Sequence, residues 1–76
     1  MRLRAKGRLL TPGRKYFVGE HEGTFIKRLK AWETGRASAL NVFEVPAYIL
    51  EPGDKGRVEM NDWEVAKKVT LETAQS

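Results

Sequence analysis

The sequence predicts an α+β domain in which an antiparallel sheet of about four strands carries one or two short helices, in a ββαββα-like order. Three observations support this class: two similar Pro-Gly turns, strand-like alternation beside each turn, and helix-like spacing of apolar residues after each strand pair. The alternative is a small all-β barrel, which is favoured if the C-terminal segment forms a strand.

The two turns lie forty residues apart in segments 10–15 and 50–55, which share the pattern L-x-P-G-x-K. In each segment the proline presets φ for the second turn position, and the glycine tolerates the positive φ of the third. These residues are typical of a type II turn. Each turn is therefore expected to join two strands of a hairpin.

Residues 1–10 alternate basic with apolar or small side chains, and a short aromatic and β-branched run follows the first turn at 15–18. Before the second turn, the segment 42–50 places Phe43, Val45 and Ile49 on one face. Pro46 cannot donate a ladder hydrogen bond, so this strand is expected at an edge or at a bulge. Residues 55–60 alternate again and form the fourth predicted strand.

Segment 24–35 is predicted to be the first helix. Phe25, Leu29 and Trp32 fall on one helical stripe, Thr24 is a suitable N-cap, and Gly35 suits the left-handed position after the last turn.

Segment 61–69 is predicted to be the second helix, because Asn61 and Glu64 have the spacing of a capping box and Val65 and Val69 lie four apart. Asn61-Asp62 is also compatible with a hairpin turn that leads into a strand, so residues 62–71 stay open between helix and strand. The predicted core consists of Phe17, Val18, Phe25, Leu29, Trp32, Val45, Ile49, Val58 and Val69.

The charge is distributed unevenly along a chain whose 76 residues correspond to a single domain, 1–76. Residues 1–36 hold ten Lys or Arg against three Glu, whereas residues 37–76 hold four against seven acidic residues, which gives a net charge of +4. Such an asymmetry indicates a polyanionic partner for the basic half, or pairing of the basic half with the acidic half.

Residues for catalysis or metal binding are scarce. The chain has no cysteine, and its one histidine, His21, lies between two glutamates without a metal-ligand spacing. The sequence therefore predicts a protein without catalytic residues, metal or cofactor. No apolar run approaches the roughly 20 residues of a membrane span, so we expect no membrane partner and a cytoplasmic location, or a virion location if a phage encodes it.

Nucleic-acid binding is the function that the basic half favours. On a strand, residues two apart point to the same side, so the cations of segment 2–8 are expected to form one row. The first turn and the first predicted helix add further cations, and Tyr16 is the candidate for stacking on a base. The predicted nucleic-acid-binding residues are Arg2, Arg4, Lys6, Arg8, Arg14, Lys15, Tyr16, Lys27, Arg28 and Lys30. The row is also compatible with an edge strand that its charges protect from pairing.

The alternative function is that of a structural or adaptor protein that assembles through protein contacts, with the basic half of one copy docked on the acidic half of another or on an acidic protein surface. Aromatic and proline anchors for such an interface are Phe43, Pro46, Tyr48 and Trp63. Residues 48–66, with Pro52-Gly53-Asp54 followed by Val58 and Ala66, resemble segments of small bacteriophage virion-cluster proteins. The resemblance covers about a quarter of the chain and implies a small virion or host-takeover protein.

Overall fold

The computed structural model describes residues 2–35 and 37–72, which form one six-stranded antiparallel sheet with the strand order β1-β6-β2-β3-β4-β5. The strands are β1 (Arg2–Arg4), β2 (Lys15–Val18), β3 (His21–Leu29), β4 (Leu40–Glu44), β5 (Arg57–Asn61) and β6 (Val69–Glu72). A single helical turn, α1 (Ala31–Thr34), follows β3, and the seven-residue helix α2 (Asp62–Lys68) lies between β5 and β6. The predicted four-stranded α+β class is therefore wrong: the fold is nearer to all-β, and its sheet does not close into the alternative barrel.

The N-terminal hairpin of the prediction does not form, because β1 and β2 lie on opposite sides of β6. Strand character ends at Arg4, and a 3-10 helix (Gly7–Leu9) follows. The Pro-Gly turn itself is confirmed, since Gly13 has φ 86° and the Arg14 N–H donates to the Thr11 carbonyl at 3.1 Å. This turn leads from the 3-10 segment into β2 rather than from one paired strand to another.

The second hairpin forms, with β4 paired to β5, but its connection is longer than a turn. Pro46 begins a 3-10 helix (Pro46–Tyr48) instead of occupying a strand. The second Pro-Gly turn lies further along this connection, where Gly53 has φ 88° and the Asp54 N–H donates to the Glu51 carbonyl at 3.0 Å.

The predicted helix at 24–35 is wrong for most of its length, because residues 21–29 form the longest strand of the sheet. A β-bulge at Ile26 shifts the register between Phe25 and Lys27. The bulge puts Arg28, whose side chain reaches Asp62, three residues after the buried Phe25, whereas Leu29 lines a groove with Lys27, so the apolar residues of the predicted stripe do not share one face. Helix begins only at Ala31 and ends at Thr34, and Gly35 follows it as the C-cap in the expected left-handed conformation, with φ 69°.

The predicted capping box at the start of α2 is confirmed. The Asn61 side chain accepts from the Glu64 N–H at 2.8 Å, and the Glu64 carboxylate accepts from the Asn61 N–H at 3.2 Å. The helix ends at Lys68, and β6 begins directly at Val69. The open segment 62–71 is therefore helix and then strand.

The core lies between the sheet and α2, where Val65 and Val69 are fully buried. Its other buried apolar members are Ala5, Tyr16, Val18, Phe25, Phe43, Val45 and Met60. The core prediction fails at Trp32 and Ile49, which are exposed, and at Phe17 and Leu29, which are half-buried. Trp32 lies on the one-turn helix α1, beyond the end of β3, and therefore does not pack against the core.

Candidate nucleic-acid-binding surface

The predicted row of cations in segment 2–8 forms only in part. Arg4 and Lys6 alternate with the buried Ala5 in extended backbone, but the 3-10 helix turns Arg8 away from this row. The Arg2 side chain lies outside the described part of the structure. Arg4 and Lys6 therefore keep the strand period, whereas Arg8 belongs to the 3-10 helix.

Arg4 joins β1 to the C-terminal end of α2. Its Nη1 donates to the carbonyl oxygens of Ala66 at 3.0 Å and Lys67 at 3.1 Å. These carbonyls belong to the last turn of the helix, where the helix dipole favours a positive charge. Lys67 and Lys68 occupy the same turn. Three cations are thus collected at one end of α2.

Three neighbouring clefts connect these cations to the N-terminal segment. The largest, about 510 Å³, is lined by Arg4, Lys67, Lys68 and Tyr48, together with Glu20. A cleft of about 220 Å³ is lined by Arg4, Lys6 and Arg14, and one of about 340 Å³ by Lys6, Arg8 and Asp62. Because Arg4 and Lys6 each line two clefts, the surface is continuous. We call it the cationic surface: Arg4, Lys6, Arg8, Arg14, Lys67 and Lys68.

Members of the cationic surface form no ion pair shorter than 4.0 Å with a carboxylate whose side chain the structure describes, although the charge of Arg8 acts on Asp62. Within residues 2–35 and 37–72, ion pairs shorter than 4.0 Å engage Lys15 with Glu22, at 3.8 Å, and Arg28 with Asp62. The carboxylates that line the clefts of the cationic surface are Glu20 and Asp62, and Arg28 already holds Asp62.

Arg28, predicted to contact phosphate, is instead bound inside the protein. Its Nη1 and Nη2 donate to the two Asp62 carboxylate oxygens at 2.6 and 2.9 Å, and Nη1 also donates to Asn41 Oδ1 at 2.9 Å. The fully buried Asn41 donates in turn to the Met60 carbonyl and to Asp62. These hydrogen bonds make Arg28 a structural residue.

The pKa values of this ion pair follow from its hydrogen bonds. The bonds from Arg28 hold the pKa of the Asp62 carboxyl below its usual range, despite the opposing effect of partial burial. The hydrogen bonds to Asp62 likewise raise the pKa of the Arg28 guanidinium. Both groups therefore stay charged at neutral pH, and the charge of each neutralises the charge of the other.

The remaining cations that were predicted to bind nucleic acid lie outside the cationic surface. Lys15 is paired with Glu22 on exposed parts of β2 and β3. Lys27 lines a groove on the opposite face of the sheet with Arg57 and Glu59. Lys30 is the residue before α1, and its backbone N–H donates to Glu33 Oε1 at 2.8 Å. The helix that would have aligned these residues is absent, so they do not share one surface.

Tyr16 is not available for the predicted stacking on a base. Only 3% of the residue is exposed, its ring packs edge-on against Phe43, and its hydroxyl accepts from the Thr11 N–H at 2.9 Å. The prediction placed Phe17 inward and Tyr16 outward, and the pleat is the reverse. Arg14 lies 5.8 Å from the Tyr16 ring centroid, which holds this cation beside the 220 Å³ cleft.

The predicted interface residues fall into two groups. Phe43 is fully buried and cannot contact a partner, whereas Pro46, Tyr48 and Trp63 are exposed. Trp63 is 68% exposed on α2, and Lys67 Nζ lies 4.1 Å from its ring centroid. This cation–π contact places an accessible aromatic ring beside the cationic surface.

The sequence reasoning missed Lys67 and Lys68 because they lie in the acidic half of the chain. A signal was present: both fall in the last turn of a segment with a capping box, where cations are favoured. The order β1-β6-β2 then brings this helix end back to the N-terminal strand.

The chain matches no protein-family model, no curated protein and no solved structure. Within the described ranges, no group of three or more His, Asp or Glu side chains is placed to hold a metal ion. No helix of residues 2–35 and 37–72 has the length and apolar character to cross a membrane.

Proposed function

We propose that this protein binds nucleic acid, DNA or RNA, through contacts between the cationic surface and backbone phosphates. The observation that carries the proposal is that six cations line three neighbouring clefts that share Arg4 and Lys6, and that none of the six is in an ion pair with a carboxylate whose side chain the structure describes. A surface of this kind binds a polyanion by releasing the counterions condensed on it.

The contacts available on this surface favour affinity over sequence preference. Lysine and arginine that reach phosphates fix the position of the nucleic acid but carry no sequence information. Trp63 supplies a flat ring of high exposure next to Lys67. An exposed ring beside phosphate-binding cations is suited to stacking on an unpaired base, so Trp63 takes the role that the sequence assigned to Tyr16.

The proposal is tested by measuring the salt dependence of binding to short labelled DNA and RNA by fluorescence anisotropy. The variant Lys6→Gln/Arg8→Gln removes two cations of the cationic surface. On duplex DNA, each lost phosphate contact reduces the slope of log affinity against log salt by about 0.9, so we expect a reduction of about 1.8.

The matched control is Lys55→Gln/Arg57→Gln, which removes the same charge from an exposed region outside the cationic surface. We expect its slope to stay close to that of the unmodified chain. Equal slopes for both double variants would show that binding follows net charge and not this surface. An unchanged anisotropy at micromolar protein and low salt would contradict nucleic-acid binding itself.

A second candidate function, assembly through protein contacts, is favoured by an apolar loop. Tyr48, Ile49 and Leu50 are consecutive exposed residues, and Leu50 is 82% exposed. Asp54 fixes the loop by accepting from the N–H groups of Leu50 and Gly56. Contiguous exposed apolar side chains, unlike single ones, are typical of a contact site.

If this loop mediates self-association, the apparent mass in light scattering rises with protein concentration, and Leu50→Ser abolishes the rise. Leu9→Ser, which alters another highly exposed leucine, is the control. A monomer at every concentration and salt level would contradict self-association.

A further inference from the structure

The 220 Å³ cleft of the cationic surface has apolar walls. It lies between β1, the first 3-10 helix, the first Pro-Gly turn and β6. Ala5 and Tyr16, both buried, contribute core side chains, and Leu10 and Leu71 are half-buried at its sides. Leu9 also lines the cleft although 74% of it is exposed. A leucine that lines a cleft and yet stays open to water gains burial when a ligand covers it.

Among the side chains that the structure describes, the charged ones that line this cleft are all cationic. They are Arg4, Lys6 and Arg14. Arg4 is held by two carbonyls of α2, and Arg14 lies beside the Tyr16 ring, so two of the three cations are positioned before any ligand arrives. The larger cleft differs in this respect, because Glu20 lines it together with its cations. Anion selectivity is therefore strongest at the 220 Å³ cleft.

The size of the cleft restricts the ligand. Pockets for drug-sized molecules hold about 300–1,000 Å³, and this cleft is smaller and partly open. Its walls provide aliphatic contacts and the edge of one aromatic residue. The Tyr16 hydroxyl already accepts the Thr11 N–H. Recognition thus depends on a compact apolar body and on a negative charge at the rim.

We propose that this cleft binds a small amphipathic anion, namely an aliphatic carboxylate whose chain lies against Leu9, Leu10 and Leu71 and whose head contacts Arg14 and Lys6. This binding is a second activity of the surface and does not rest on nucleic-acid binding. Since the carboxylate and a nucleic acid would share Lys6 and Arg14, bound carboxylate reduces nucleic-acid affinity if both activities occur.

The test is a titration of the ¹⁵N-labelled protein with butanoate, hexanoate and octanoate, followed by amide chemical shifts. We expect the largest changes at the amides of residues 5, 9, 10, 14 and 71. Each methylene that enters the cleft strengthens binding about fourfold, and the gain stops when the chain exceeds the cleft. Hexanol and hexyltrimethylammonium, which carry the same chain without a negative charge, are expected to bind more weakly than hexanoate.

Two variants and their matched controls locate the site. Arg14→Gln is expected to weaken hexanoate binding about two- to fivefold, the range of an exposed charge contact, and Leu9→Ser is expected to weaken it as well. Lys55→Gln and Leu50→Ser change an exposed cation and an exposed leucine elsewhere and are expected to leave the affinity unchanged. All four substitutions are at exposed positions, so folding is preserved, and the amide spectrum of each variant verifies this.

Three results would overturn the inference: no shift changes at millimolar hexanoate, equal binding of hexanol, or changes centred on residues 48–50 instead of the cleft. The titration contains no nucleic acid, so its failure leaves the anisotropy result standing. Conversely, a failure to bind nucleic acid in the anisotropy experiment does not bear on hexanoate binding.

Discussion

Two arginines contact opposite ends of α2, and their charges have different fates. Arg28 binds Asp62, the first residue of the helix, through a bidentate pair supported by Asn41. Arg4 binds only the uncharged carbonyls of Ala66 and Lys67 in the last turn. The first charge is neutralised within the fold, whereas the second remains available to a partner. A basic sequence therefore does not define a binding surface until the internal carboxylates have been assigned.

Among the variants that test this difference between the two arginines, Arg28→Gln is expected to change stability most. The substitution leaves the Asp62 carboxylate half-buried and without its cation, and it removes a donor from the buried Asn41. We expect the free energy of unfolding to fall by about 1–2 kcal/mol in urea titrations, because a charge-assisted pair is lost, although water reaches Asp62 and lessens the cost of its unpaired charge. Arg4→Gln is the paired control, with an expected loss below about 1 kcal/mol at its exposed site. Equal losses would refute the structural distinction between the two arginines.

Gly7→Ala tests how closely the N-terminal segment approaches the ion pair. A β-carbon at position 7 would overlap the Asp62 carboxylate, with its Cγ only 2.8 Å away. We expect a destabilisation of about 1–3 kcal/mol, typical of overpacking, measured by thermal or urea unfolding. Leu9→Ala in the same 3-10 helix changes an exposed side chain and should stay within about 0.5 kcal/mol. A Gly7→Ala protein as stable as Leu9→Ala would show that the backbone does not pass this close to Asp62.

The Arg28–Asp62 pair also predicts a pH dependence. Because the folded-state pKa of Asp62 is lowered, the pair contributes its full stability above the unfolded pKa of about 3.9 and loses it as the pH falls through the folded pKa. Asp62→Asn should therefore be less stable than the unmodified chain at pH 7, and the difference should shrink as the pH falls below about 4. A difference that stayed constant down to pH 2 would mean that the Asp62 charge does not stabilise the fold.

The sequence predicts the turns and helix caps of this protein better than it predicts which strands pair. The capping box of Asn61 and Glu64 and the two Pro-Gly turns depend on residues a few positions apart, and all three form where expected, although the first turn does not join two paired strands. Strand order depends on contacts across the whole chain, such as Leu3 with Leu71. No local pattern shows that β6 separates β1 from β2.

In the candidate site, too, features set by neighbouring residues were predicted and those set by distant contacts were not. Strand alternation correctly placed Arg4 and Lys6 opposite the buried Ala5. The fate of Arg28 could not be predicted, because its carboxylate partner lies 34 residues later, in the acidic half. The inward position of Tyr16 was missed because Tyr16 and Phe17 are both plausible core residues, and only the pairing of β2 with β3 and β6 decides which of them faces α2.

The last comparison uses two variants that are expected to change stability least. It tests the central claim about function, which is that the cationic surface, and not the basic half as a whole, binds phosphate. Arg4→Gln and Lys27→Gln each remove one cation of the basic half, on the cationic surface and on the opposite face of the sheet respectively. The decisive measurement is the slope of log affinity for duplex DNA against log salt for both variants. We predict a slope reduced by about 0.9 for Arg4→Gln and unchanged for Lys27→Gln. Equal reductions, or a reduction for Lys27→Gln alone, would contradict the account.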